Sequence, residues 1–173
     1  MSSRKETEFT PELEAAFAAL DSYGNGSARA ALLPIDAEIA RTPADRAHHL
    51  RIEQRLLAVL AGKASAPAKQ FACNRLALIG AARSAAPLAR LLADPEIATD
   101  ARSALEAIAD AAAAKAILRQ LPRLSGRQKA GAIASLGVMR CRRAARLIER
   151  ETKDKDPDVQ RAAVRALKVL KGA

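Results

Sequence analysis

Four copies of a short apolar pattern, spaced about 30 residues apart, constrain the fold of this chain more than any other feature. The clearest copy follows Asp94-Pro95, and its apolar side chains are three or four residues apart: Ile97, Ala101, Leu105 and Ile108. This spacing places them on one stripe of a helix. Two positions recur in every copy, one occupied by Leu76, Leu105, Ile133 and Leu167, the other by Ile79, Ile108, Leu136 and Leu170. A period near 30 with two helices per unit is typical of an α-solenoid.

Local signals predict where several of the helices begin. Four sites combine a capping side chain with a proline that suits the first helical turn: Thr10-Pro11, Thr42-Pro43, Asp94-Pro95 and Asp156-Pro157. Ser125, followed three residues later by Gln128, predicts a capping box. The chain holds 43 alanines but only five valines and no tryptophan, which favours helix and disfavours strand. We therefore predict an all-α fold of about ten helices.

The copy around Asp94 resembles a HEAT repeat, in the short form also seen in phycobilin lyases. The resemblance rests on Leu91-Leu92, on Asp94-Pro95 and on the Ala101, Leu105 and Ile108 stripe, with Pro87 where the family often carries a proline. It implies a right-handed α-solenoid of stacked helix pairs. The implied repeat array covers residues 65–173, and residues 1–64 would form a divergent N-terminal helical region.

Basic residues are concentrated in the second part of the chain. Residues 1–60 hold 7 basic and 9 acidic side chains, whereas residues 61–173 hold 22 basic and 10 acidic ones. A strongly one-signed region favours partners of the opposite charge. The partner is therefore expected to be an acidic protein segment or a nucleic acid.

The resemblance also implies that the second helix of each unit lines a concave, partner-binding face. The outward positions of these helices are the predicted binding residues: Gln70, Asn74, Thr99, Ser103, Arg127, Arg161, Arg165 and Lys168. This face is polar in the middle and basic toward the C-terminus. The same positions are also those of a solvated helix exterior, so the pattern is compatible with both interpretations.

The sequence contains no recognisable catalytic or metal-binding motif. There is no Gly-x-Ser-x-Gly elbow, His-Glu-x-x-His or Walker loop. His48 and His49 are adjacent and point about 100° apart on a helix, so they cannot chelate one metal ion together. Cys73 and Cys141 are expected to be free thiols. We predict no enzymatic activity, no cofactor, no metal and no small-molecule substrate.

Three functions remain open at this point, and the leading one is a non-catalytic protein-binding scaffold with an acidic partner. The alternative is DNA or other nucleic-acid binding through the basic C-terminal half. Some HEAT-like proteins are DNA-base glycosylases, which hold an exposed base with aromatic side chains, but here every aromatic residue lies within residues 1–71. A third option, a bilin lyase or chaperone, follows only from the repeat type. Because no apolar segment is long enough for a membrane span and no secretory leader is visible, we expect a cytoplasmic protein without a membrane partner.

Overall fold

The computed structural model describes residues 9–172, and within them the chain is entirely helical. The ten α-helices of this part are α1 Pro11–Asp21, α2 Leu33–Arg41, α3 Arg46–Ala61, α4 Ala66–Ile79, α5 Ala85–Arg90, α6 Ala98–Ile108, α7 Ala111–Gln120, α8 Gly126–Val138, α9 Ala145–Glu151 and α10 Pro157–Lys171. Short 3-10 turns flank several of them, at Arg29–Leu32, Ala82–Ser84, Leu91–Ala93, Leu121–Arg123 and Arg142–Ala144. The prediction of an all-α fold with about ten helices is confirmed.

Two of the predicted helix starts are found where the capping signals place them. Thr10 accepts a hydrogen bond from the Leu13 amide at the start of α1, and Asp156 accepts one from the Asp158 amide at the start of α10. In both cases a proline occupies the first turn, where its missing N–H removes no helical hydrogen bond.

Of the other three start signals, those at Thr42 and Asp94 were wrong, and the one at Ser125 was right about where the helix begins. The Thr42 hydroxyl donates back to the Glu38 carbonyl and so closes α2, while Asp45 caps α3 by accepting from the His48 amide. Asp94 accepts from the Glu96 amide within a turn, and α6 begins only at Ala98. Helix α8 begins at Gly126 directly after Ser125, as predicted, but the Ser125 side chain makes no capping bond, so the capping box itself is not formed.

Most helices from α3 onward belong to one of two rows, in which each helix contacts the next helix of its own row. Helix α4 contacts α6, α6 contacts α8, and α8 contacts α10, while α3 contacts α5 and α5 contacts α7. Consecutive helices also pack in pairs, α3 with α4, α5 with α6, α7 with α8, and α9 with α10. One apolar core runs through all of these contacts, from Leu13 to Leu170. The aligned repeat positions supply its centre, since Leu76, Leu105 and Ile133 are fully buried.

The N-terminal helices are joined to the rest of the chain by direct contacts. The Phe71 ring of α4 lies 4.7 Å from the guanidinium carbons of both Arg29 and Arg75. Asp36 in α2 forms ion pairs with the same two arginines, at 2.7 Å each. A boundary between residues 64 and 65 stays a prediction, and it would divide two helices, α3 and α4, that pack against each other.

Arg140 holds a backbone conformation that normally belongs to glycine. Its φ is +49°, and it follows the C-cap residue Met139 of α8 in a Schellman motif. In this motif the Cys141 amide donates to the Leu136 carbonyl, and the Arg140 amide donates to the Gly137 carbonyl. For an L-residue with a Cβ, this left-handed conformation costs roughly 1–2 kcal/mol. Position 140 therefore carries local strain.

Replacing Arg140 with glycine is expected to raise the free energy of unfolding by about 0.5–1 kcal/mol, because the relief of strain exceeds the extra entropy of the unfolded chain. Arg142→Gly is the matched control, since Arg142 lies in a 3-10 turn with ordinary backbone angles and its replacement should not stabilise the protein. Urea denaturation of the two variants measures both effects. A loss of stability in Arg140→Gly would show that the Arg140 side chain makes a contact more favourable than the strain is costly.

Candidate partner-binding groove

An open groove of about 730 Å³ crosses helices α6, α8 and α10. We call it the α6–α8–α10 groove, and its lining residues other than alanine and glycine are Leu92, Pro95, Thr99, Arg102, Arg127, Gln128, Val138, Asp158, Arg161, Arg165 and Val169. Alanine and glycine form most of the surface between them, including Ala130, Gly131 and Ala134 on α8 and Ala162 on α10. The groove is therefore a shallow channel with a floor of small residues and walls of long side chains.

Half of the predicted binding residues line this groove. Thr99, Arg127, Arg161 and Arg165 do so, each from one of the three helices that form it. Ser103 and Lys168 are exposed but lie outside its lining.

The two remaining predicted binding residues, both on α4, make polar contacts to neighbouring elements. The Gln70 amide donates to the Glu96 carbonyl at 2.7 Å, and the Asn74 amide donates to Asp100 Oδ1 at 3.3 Å. These bonds connect α4 to α6 and to the turn that precedes it. The polar row on α4 thus bridges two helices, and the groove begins only at α6.

Arg102 belongs to the groove although its sequence pattern did not single it out. It lies on the same helical face as Thr99, three residues further along α6. Its side chain passes over Gly131, where an added Cβ would come within 3.1 Å of Arg102 Nε. Its guanidinium donates to Glu106 at 3.0 Å, and Glu106 also accepts from the Ser135 hydroxyl of α8. The i+3 spacing from Thr99 was the signal that could have identified it.

The charges in the groove are mostly positive and only partly neutralised. Arg161 pairs with Asp158 one turn earlier on α10, and Arg102 pairs with Glu106. Arg127 and Arg165 form no ion pair and no side-chain hydrogen bond with any residue between Phe9 and Gly172. Asp158 is the one carboxylate among the described lining residues. The groove therefore presents a net positive surface with two guanidinium groups whose hydrogen-bonding capacity is unused.

Lys129 is on the groove helix α8 but lies outside the groove lining, and its charge stabilises the fold. Its ammonium group donates to Glu151 at 3.0 Å and to Asp154 at 2.8 Å, which ties α8 to the turn before α10. The Lys129 hydrogen bond lowers the pKa of Asp154 to about 2, and the same contact raises the pKa of Lys129. The carboxylates of Glu151 and Asp154 thus neutralise the charge of Lys129, which does not contribute to the groove.

The groove also has an apolar end. Val138 is 67% exposed and Val169 is 46% exposed, and both line the groove at the C-terminal ends of α8 and α10. No aromatic side chain is among its described lining residues. The aromatic residues that the structure describes, Phe9, Phe17, Tyr23 and Phe71, pack against the core in or near α1 and α4. The groove accordingly has no platform on which a nucleic-acid base could stack.

Between Phe9 and Gly172, the structure brings together no group of three or more His, Cys, Asp or Glu side chains suited to hold a metal ion. None of the helices in the same range is both long and apolar enough to cross a membrane.

Cys73 is buried, and this burial raises the pKa of its thiol to about 12, so the thiol is protonated at neutral pH. Cys73 and Cys141 are both free thiols, as predicted.

The chemical groups of the groove can bind anions, since guanidinium groups pair with carboxylates and with phosphates. Its described lining offers guanidinium groups, one hydroxyl from Thr99, one amide from Gln128 and small apolar contacts. No protein-family model, curated protein or solved structure matched this chain. The function is therefore inferred from the residues of the groove themselves.

Proposed function

We propose that this protein is a non-catalytic scaffold that binds an acidic segment of another protein in the α6–α8–α10 groove. The observation that carries the proposal is the pair of unpartnered guanidinium groups, Arg127 and Arg165, which lie beside Arg102 and Arg161 in one groove. A guanidinium group binds a carboxylate through two parallel hydrogen bonds, which gives both affinity and orientation. An acidic segment lying across α8 and α10 would satisfy both groups.

We also propose that the helices form a right-handed, HEAT-like α-solenoid. The support is the four-copy register of the sequence together with the neighbour order of α4, α6, α8 and α10. In such a stack the second helices of successive units share one face, and extended partners bind along that face. An experimental structure in which the four helix pairs close into an up-down bundle would contradict this architecture.

Changing Arg127, Arg161 and Arg165 together to lysine tests the proposed recognition. The substitution keeps the charge but removes the bidentate geometry, so we expect about tenfold weaker binding to an acidic peptide, a difference of roughly 1.4 kcal/mol. The probe is a fluorescein-labelled glutamate-rich peptide, and fluorescence anisotropy measures its dissociation constant. The matched control changes Arg142, Arg143 and Arg146 to lysine, which is the same chemical change at three exposed positions outside the groove lining.

Equal affinities for the wild type and the groove variant would argue against bidentate pairing in the groove. A loss of affinity in the control variant as large as in the groove variant would show that the peptide responds only to the general positive charge of the chain. Circular dichroism of each variant verifies that the helices are retained.

Nucleic-acid binding remains the alternative function, and it has a surface of its own. Five exposed arginines lie around the turn between α8 and α9 and along α9, and they form no ion pair within the described residues: Arg140, Arg142, Arg143, Arg146 and Arg150. Arg146 and Arg150 are one helical turn apart and so share a face, although Glu149 is also exposed on this helix. Such a cluster is suited to phosphate contacts, which carry no base specificity.

A salt titration separates the two functions. Binding to a random-sequence DNA duplex through phosphate contacts should fall log-linearly with salt concentration, with a slope that grows with the number of contacts. Micromolar, steeply salt-dependent duplex binding that survives the groove substitutions would overturn the scaffold proposal. Absence of duplex binding at low salt, together with acidic-peptide binding that the groove substitutions weaken, would support it.

A further inference from the structure

The chain positions of the groove's charged and apolar residues show that its two ends differ in chemistry. Helices α8 and α10 run parallel, as two contacts establish. At the N-terminal end of α8, a Cβ added to Gly126 would lie 3.6 Å from Asp156 Oδ2, directly before α10. Near the C-terminal end of α8, a Cβ added to Gly137 would lie 3.0 Å from the Ala166 Cβ. The two helices therefore present their starts at one end of the groove and their ends at the other.

The first end of the groove is basic. Arg127 is the second residue of α8, and Arg161 lies in the second turn of α10. The N-termini of the two helices add the positive ends of their dipoles at the same place. Asp158 neutralises part of this charge through its pair with Arg161, so Arg127 is the group left for an incoming carboxylate.

The opposite end of the groove is apolar. Five large apolar side chains are exposed between Phe9 and Gly172, and two of them, Val138 and Val169, lie together at this end. Arg165 lies between the two ends, on the same face of α10 as Arg161 and Val169 because the three are four residues apart. Val138 is eleven residues after Arg127 on α8, which corresponds to about 16 Å along a helix.

We infer that the groove binds a peptide segment that has an acidic end and an aliphatic end, separated by about 16 Å. The acidic residues bind Arg127, Arg161 and Arg165, and one or two aliphatic side chains cover Val138 and Val169. The small residues of the floor, such as Ala134 and Ala162, let the backbone of the segment approach closely. This inference rests on the proposed function, and it adds a sequence requirement that general attraction between opposite charges would not impose.

The experiment compares two peptide series on the intact protein. In the first series, four glutamates are joined to two leucines by neutral spacers of about four to ten residues. Roughly four spacer residues cover about 16 Å in an extended peptide, and roughly ten do so in a helical one. In the second series, serines replace the two leucines. We expect the best leucine peptide to bind wild-type protein about tenfold more tightly than its serine counterpart, because it buries apolar surface of Val138 and Val169.

The variant Val138→Ser/Val169→Ser should abolish this advantage, so that leucine and serine peptides bind it with equal affinity. Val164→Ser is the matched control, since Val164 is 45% exposed on α10 but lies outside the groove lining. The inference is overturned if leucine and serine peptides bind equally well, or if the leucine advantage persists in the double variant. Absence of binding by either series would instead contradict the proposed function itself, so the two failures are distinguishable.

Discussion

Replacing Leu105 with alanine is expected to lower the free energy of unfolding by about 2–5 kcal/mol, the range for truncating a fully buried leucine. Leu105 is completely shielded from solvent on α6, the helix that contacts α4, α5, α7 and α8. The substitution removes apolar contacts with neighbouring helices and leaves a cavity that packed neighbours fill only in part. Chemical denaturation followed by circular dichroism at 222 nm measures the change.

Leu78→Ala is the matched control for this prediction. It removes the same atoms from a leucine of α4 that is 67% exposed, so its effect should stay within about 0.5 kcal/mol of the wild type. A loss of less than 0.5 kcal/mol in Leu105→Ala would contradict the register in which Leu105 occupies the centre of the repeat. The difference in free energy of unfolding between the two variants separates the effect of burial from the intrinsic helix propensities of leucine and alanine.

Replacing Glu53 with alanine is expected to destabilise the protein by about 3 kcal/mol, since hydrogen bonds to a charged group contribute roughly 1.5–3 kcal/mol each. The Glu53 side chain is almost fully buried on α3, and residue 53 is 1% exposed. It accepts hydrogen bonds from the Ala81 amide at 2.9 Å, the Ser84 hydroxyl at 2.5 Å and Arg83 Nε at 2.8 Å. The substitution removes all three and leaves the buried Ser84 hydroxyl without this acceptor.

Arg83→Ala separates the contributions of these three donors. The Arg83 side chain is 44% exposed, so its ion pair with Glu53 is screened by water and its removal should cost less than about 1 kcal/mol. The Ala81 amide and the Ser84 hydroxyl keep their bonds in this variant. If Arg83→Ala lowered the free energy of unfolding as much as Glu53→Ala, the ion pair would be the main contribution to stability. The hydrogen bonds from the Ala81 amide and the Ser84 hydroxyl would then contribute little.

Glu53 shows a role that the sequence pattern did not indicate. Its neighbours along α3 give it the appearance of an ordinary polar helix position, and its three donors lie 28 to 31 residues further along the chain. Ser84 directly precedes α5, yet its hydroxyl donates to Glu53 and makes no capping bond. The roles of Glu53 and Ser84 both depend on the close approach of α3 to the turn between α4 and α5.

The helical class, the approximate number of helices and the central positions of the core could be predicted from the sequence. These features depend on interactions within one or two helical turns. Leu76, Leu105 and Ile133 each belong to a stripe of apolar residues three or four positions apart, and this local spacing was sufficient to place them in the core. Capping at Thr10 and Asp156 is equally local and was also predicted correctly. The charge difference between the two parts of the chain is a property of composition alone and pointed to an acidic partner.

Which polar side chains remain available to a partner depends on the tertiary structure. Gln70 and Arg127 occupy equivalent positions of the repeat, each six residues before an aligned apolar position. The Gln70 amide bonds to the Glu96 carbonyl 26 residues away, whereas Arg127 has no ion pair or side-chain hydrogen bond within residues 9–172. The apolar end of the groove likewise exists because α8 and α10 run parallel, which places Val138 and Val169 at the same end of the groove. A periodic pattern specifies the face of a helix, whereas the distance between two faces depends on how closely the backbones approach. Here, Gly137 against Ala166 sets that approach.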